Sequence, residues 1–75
     1  MPKLPRISGK EIIRALERLG FFRVRQKGSH VTLIKQTVNG KRGCTVPLHE
    51  TVAVGTLSSI LRQADVNIEE FIENL

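Results

Sequence analysis

Two histidines and a run of cations are the residues of this chain with the types to do chemistry. Residues 26–30 read Gln-Lys-Gly-Ser-His, and Arg23, Arg25 and Lys27 stand just ahead of His30. A neutral imidazole accepts a proton, and with an ordinary pKa of about 6.5 histidine is largely neutral near pH 7. Arginine and lysine bring positive charge and N–H donors to phosphate oxygens. Gly28 lets the backbone turn tightly and approach a ligand closely, and Ser29 carries a hydroxyl that can donate to a phosphate oxygen. His49, in Pro-Leu-His-Glu-Thr, is the second histidine: either a general acid or phosphate donor, or a loop residue beside the start of a helix. On the residues alone His30 has two readings as well, a general base or an ordinary exposed strand residue. Cys44 is the single cysteine and reads as core, so neither a zinc site with His30 and His49 nor a cysteine nucleophile is expected.

Charge says what such a cluster would act on. Residues 1–48 hold eleven Lys or Arg against Glu11 and Glu17, a net +9, while residues 49–75 hold Arg62 against five carboxylates, a net −4. A concentrated positive field attracts polyanions through phosphate contacts and counterion release, so nucleic acid is the leading partner class. RNA carries its own nucleophile, the 2′-hydroxyl. Its cleavage needs only a group to take that proton, a cation to steady the phosphate, and alignment, with no cofactor and no metal.

With 75 residues the chain is one domain, and domains near this size bury only about 60% of their unfolded surface, which leaves room for one small site. No stretch approaches the roughly 20 apolar residues of a membrane span, and the start of the chain lacks the apolar segment of a secretory signal. A cytoplasmic location is expected, without a membrane partner.

The elements that must hold these residues are legible from periodicity. Ser8 and Glu11 form a capping box, and Ile12, Ala15, Leu16 and Leu19 follow at helical spacing until Gly20 ends the helix. Residues 21–26 alternate, placing Phe22 and Val24 on one face and Arg23 and Arg25 on the other. Phe22 and Phe71 fall on core positions, which leaves Phe21 as the aromatic open for contact. A second alternation sets Val31 and Leu33 on one face and His30, Thr32 and Ile34 on the other. Asn39-Gly40 is the hairpin signal before a third strand over 41–46, which Pro47 closes. Leu57, Ile60, Leu61 and Ala64 repeat helically, and Asn67 with Glu70 opens a last acidic helix, Val66 and Phe71 forming its staple. The fold class is α+β in the order α-β-β-β-α-α: a three-stranded antiparallel sheet with helices on one face and the other face open.

The pieces Ser-Gly-Lys-Glu-Ile-Ile-Arg-Ala-Leu-Glu-Arg-Leu-Gly-Phe, Gln-Lys-Gly-Ser-His, Val-Pro-Leu-His and Gly-Thr-Leu-Ser-Ser-Ile-Leu, in that order and spacing, resemble the HicA (YcfA-like) toxins of toxin-antitoxin pairs. The resemblance covers nearly the whole chain as a single domain, 1–75. It implies a fold like that of a double-stranded-RNA-binding domain and an mRNA interferase needing no metal, inhibited by a HicB-type antitoxin. The histidine of Gly-Ser-His, here His30, would be catalytic. The sequence departs from the family pattern at Ser58, where a basic residue is common, and at Asp65, where a glycine is common. Three classes of function follow: a metal-independent endoribonuclease toxin acting on mRNA, a non-catalytic RNA-binding module using the same basic sheet, and an adaptor binding an acidic protein.

A register follows if Lys27-Gly28 and Asn39-Gly40 are both two-residue turns. Arg25 then faces His30 and His30 faces His49, while Val24 pairs with Val31, Phe22 with Leu33 and Leu33 with Val46. Arg25, His30 and His49 would form a row across the open face, wide enough for one phosphodiester.

Overall fold

The first and last helices of the protein begin where a side chain satisfies a free backbone N–H, whereas the helix between them starts at Ala53 without one. In the computed structural model, which describes residues 3–75, helix α1 spans Gly9–Arg18. The Ser8 hydroxyl accepts from the Glu11 amide at 3.1 Å and the Glu11 carboxylate accepts from the Ser8 amide at 3.1 Å. Donation to the carboxylate from the Ser8 amide, and from the Ser8 hydroxyl at 3.0 Å, holds the Glu11 carboxyl below its usual range. Three strands follow, β1 (Phe22–Lys27), β2 (His30–Thr37) and β3 (Gly40–Pro47), then α2 (Val54–Ala64) and α3 (Ile68–Glu73). The predicted order and class therefore hold. Asn67 caps α3, its side chain accepting from the Glu70 amide at 2.7 Å.

The sheet is antiparallel in the order β1-β2-β3, and its period-2 alternation sorts residues between two unlike faces. Val31, Leu33, Cys44 and Val46 point at the helices and are buried, with Ile12, Ile13 and Leu16 of α1, Leu57, Ile60 and Leu61 of α2, and Phe71 of α3. Each fully buried side chain of this size contributes roughly 1.5–3 kcal/mol. Both α1 and α2 contact β3, so the helical layer sits over that side of the sheet. The molecule measures 32 × 29 × 18 Å, its short dimension being room for one sheet and one helical layer. The second face of the sheet is bare.

Edge strand β1 lies at the rim of the helical layer, and all six of its residues are exposed. Its pairing with β2 carries a bulge between Arg23 and Arg25, with Val24 the extra residue. That bulge overturns the expected alternation. Phe22 pairs with Ile34 and so lies on the bare face, 52% exposed, and Val24 is 48% exposed; neither joins the core. Phe21, one residue earlier, goes inward instead and is 4% exposed, with the Lys35 ammonium 5.9 Å from its ring centroid. Arg23 pairs with Leu33 on the helix side, where it reaches Glu17 of α1 at 3.5 Å.

Both hairpins also turn one residue away from the expected positions, which moves the pairing next to each turn by two. Gly28 and Ser29 form the first turn, with φ 60° at Gly28 and negative φ at Ser29, the type II′ pattern that calls for Gly at its first central position. The alternative, with Lys27 as a turn residue, needs a positive φ on a long L side chain. Val38 and Asn39 form the second turn with negative φ, and Gly40 follows at φ 111°; the Thr37 hydroxyl donates to the Gly40 carbonyl at 2.7 Å and accepts from the Asn39 amide at 3.2 Å. The β2–β3 slip is even, so Val31, Leu33, Cys44 and Val46 stay on the core face while every partner changes; between β1 and β2 the slip is two residues up to the bulge and one beyond it, which is how Phe22 leaves the core face.

Candidate active site

Among the described residues no polar or charged side chain is buried, so whatever chemistry this protein does takes place on its surface. His30 is the first residue of β2, exposed, on the bare face opposite the buried Val31. The type II′ turn delivers it there, and the Gln26 side-chain amide braces that turn by donating to the Gly28 carbonyl at 3.1 Å. No atom lies within 4 Å of where a Cβ on Gly28 would sit, so glycine is needed here for its backbone angle rather than for space.

Three rows cross the bare face. The first is Lys27, His30 and Pro47; the second is Arg25, Thr32 and Thr45, with the two threonine hydroxyls 3.4 Å apart; the third is Phe22, Ile34 and Gly43. Directly opposed residues have Cβ atoms about 4.5–5.5 Å apart, so Lys27 is the cation nearest His30. Arg25 faces Thr32 instead of His30, one row and about 7 Å along the sheet. That distance still lets a guanidinium reach toward a phosphate held at His30.

The expected pairing of His30 with His49 is replaced by His30 with Pro47. Pro47 ends β3, and the Leu48 amide then donates to the Ser29 carbonyl at 2.6 Å, which carries the chain past the hairpin turn. His49 follows, exposed, its carbonyl accepting from the Gly9 amide at 2.9 Å. It stands beside the Gly28-Ser29 turn rather than in the row. Arg23 stands apart too, held on the helix side by Glu17. Of the residues singled out from sequence, then, the structure groups Lys27, Gly28, Ser29 and His30 with Arg25 one row away. Cys44 lies on the core face, 5% exposed, and burial pushes its thiol up to about 11, which removes it as a nucleophile.

Sequence places Thr32 and Ile34 on this face with His30, but not Phe22. Phe22 was assigned to the core because the bulge at Val24 carries no mark in a one-dimensional pattern. The Gly-Ser dipeptide was the missed signal for the turn, since glycine followed by serine suits type II′.

The HicA toxin family of bacterial toxin-antitoxin systems matches this chain over residues 9–66. The chain belongs to the HicA toxin family. The matched segment runs from the first residue of α1 through the three strands and α2, so it contains every residue of the three rows around His30, and only α3 lies beyond it. No match is found among curated proteins. As a HicA toxin the chain is one half of a toxin-antitoxin pair, which implies a cognate antitoxin. The departure at Asp65 has a local explanation in this HicA fold: Asp65 caps α2 in the left-handed conformation, φ 57° and ψ 43°, the conformation glycine adopts without strain. Arg42 of β3 pairs with its carboxylate at 3.4 Å.

Proposed function

We propose that the bare sheet face is the cleavage site of a metal-independent endoribonuclease acting on mRNA, with His30 as general base. The observation that carries this reading is an exposed histidine on a structurally unoccupied face, with Lys27 opposite it and Arg25 one row away. His30 takes the proton of the 2′-hydroxyl, and that oxygen attacks the adjacent phosphorus. The P–O5′ bond breaks and the departing oxygen takes a proton from water, leaving a 2′,3′-cyclic phosphate on one fragment and a 5′-hydroxyl on the other. Lys27 and Arg25 steady the charge that gathers on the phosphoryl oxygens. Ser29 and Gly28 offer a hydroxyl and a close backbone approach at the same end of the strand, and His49 and Arg23 add charge at the margins of the RNA track. No cofactor enters.

A cytoplasmic protein of this kind needs restraint, and the antitoxin supplies it by covering His30 and the cations around it with an acidic surface, since a positive patch is best complemented by a negative one. A complex in which His30 remained accessible to RNA would rule out occlusion.

Purified protein incubated with RNA in EDTA tests the reading. Fragments ending in cyclic phosphate are expected, and His30→Ala should lower the rate by about 10²–10⁴ with RNA affinity largely kept. Because His30 is exposed, its replacement opens no cavity, so the variant should melt like the parent. A folded His30→Ala protein that cleaves at the parental rate would remove His30 from the mechanism, and binding without cleavage by the parent would reduce the domain to an RNA-binding module.

A further inference from the structure

The third row of the bare face is apolar, which neither the charge of this surface nor proton transfer at His30 accounts for. Phe22 is an aromatic side chain more than half exposed, 52%, one row from Arg25, Thr32 and Thr45. Ile34 stands beside it, partly buried, and beyond Ile34 the sheet has only Gly43. Gly43 has no side chain, and the Ile34 Cγ2 lies 3.4 Å from where a Cβ on it would sit, so Ile34 leans over the glycine and ends the row. The result is an aromatic ring with an aliphatic shoulder and no side chain standing over it. Four residues separate Ile34 from His30 on β2, about 13 Å of strand, and Arg25 lies midway between the two rows.

We infer that Phe22 is a stacking platform for an unpaired nucleobase of the same RNA strand whose phosphate is held at His30. The inference rests on the ribonuclease reading and deepens it by naming where the flanking nucleotide goes and what form of RNA the face takes. Every base has an apolar π-face, and aromatic side chains beside a positive groove bind single strands by stacking on it. The groove here is supplied by Lys27 and Arg25 on β1 and by Lys41 on β3, which pairs with Gln36 and shares the face of His30. Bases inside a duplex have both faces already stacked and cannot use the ring, so the face is built for single-stranded RNA. Phe22 acts as a positioning residue: it sets which nucleotide lies over His30 and takes no part in proton transfer.

The protein has no tryptophan and no tyrosine, so Phe22→Trp introduces a lone indole reporter at the platform. The experiment titrates a short unstructured RNA into Phe22→Trp on the non-cleaving His30→Ala background, and in parallel measures cleavage by Phe22→Ala and Phe22→Tyr with His30 intact. Stacking predicts quenching of the indole as RNA binds, and no comparable quenching with a duplex of the same sequence. Phe22→Ala should raise Kd and KM by roughly 5- to 150-fold, as for the loss of one stacked base. Its kcat and the salt dependence of binding should stay put, and Phe22→Tyr should restore KM.

Tight RNA binding with unchanged indole emission would overturn the inference while leaving the ribonuclease reading intact, and so would equal quenching by duplex. Loss of antitoxin binding in Phe22→Ala with Kd for RNA unchanged would overturn it in favour of a protein contact. If the parent neither binds nor cuts RNA, the ribonuclease reading fails first and the inference goes with it.

Discussion

Replacing Gly9 by alanine should destabilise this protein, although the same change in a helix usually does the opposite. Gly9 opens α1, and its amide donates to the His49 carbonyl at 2.9 Å. A Cβ there would collide with the Pro47 carbonyl and come 3.0 Å from the Leu48 Cα. Those atoms are backbone and cannot rotate away, so α1 has to lift off the end of β3. Alanine gains up to about 1 kcal/mol of helix propensity. Against that stand about 1–3 kcal/mol of overpacking and about 1 kcal/mol for the hydrogen bond to His49. The net is a loss of about 2 kcal/mol, which for a domain of this size lowers the melting temperature by roughly 8–16 °C. Gly55, in the first turn of α2, is the internal control, because a Cβ there meets nothing within 4 Å. Gly55→Ala should therefore gain about 0.5–1 kcal/mol and melt roughly 2–8 °C higher. Thermal melts followed by far-UV circular dichroism compare the two variants with the parent. If Gly9→Ala melts at or above the parent, α1 is not pressed on the strand that flanks His30 and the reasoning fails.

Other outcomes follow from the turns and caps. Gly28→Ala should cost about 1–2 kcal/mol because only the positive φ is disfavoured, whereas D-alanine at the same position, introduced by chemical synthesis, should cost nothing; equal melting of the two would remove the type II′ turn. Asp65→Gly relieves a left-handed residue worth about 1 kcal/mol and forfeits an exposed ion pair to Arg42 worth about 0–1 kcal/mol, so it should melt slightly above the parent, and the gain should grow in high salt as that pair is screened. The Cys44 thiol is raised from 9.0 to about 11 by burial, so the native state holds its proton where the unfolded chain has lost it. Its contribution is intact below pH 9 and declines as the pH climbs to 11, by up to about 3 kcal/mol, and urea melts of the parent should lose ground to Cys44→Val across that window and at no lower pH.

Element order and the inward face of β2 and β3 were legible because they rest on local chemistry: the Ser8 and Asn67 caps, helical spacing, and the alternation through Val31 and Leu33. The partners of His30 were not. A slip of two residues returns the same residues to the core, so hydrophobic pattern does not distinguish pairing with His49 from pairing with Pro47. Only turn chemistry decides, and there Gly28-Ser29 outcompeted Lys27-Gly28 and Val38-Asn39 outcompeted Asn39-Gly40. The Val24 bulge is a tertiary event on an edge strand, and with it went the placement of Phe21, Phe22 and Arg23. The residues of the proposed site are thus named by type alone, while their arrangement depends on two turns and a bulge.

The absence of any helix over β1 bears on how the molecule breathes. β2 is paired on both sides and β3 lies under α1 and α2, so their amides should exchange with solvent mainly on global unfolding, whereas β1 hangs from one neighbour with all six residues exposed. Its detachment costs the hydrogen bonds to β2 and little apolar burial. Arg25 and Lys27 leave with it while His30 stays on β2, so the proposed base and its proposed cations should belong to cooperative units of different stability. Conditions too mild to unfold the domain can therefore separate them, and a ligand that spans both strands, RNA or antitoxin, tethers the weaker unit to the stronger and slows exchange in β1 well before it changes the melting temperature.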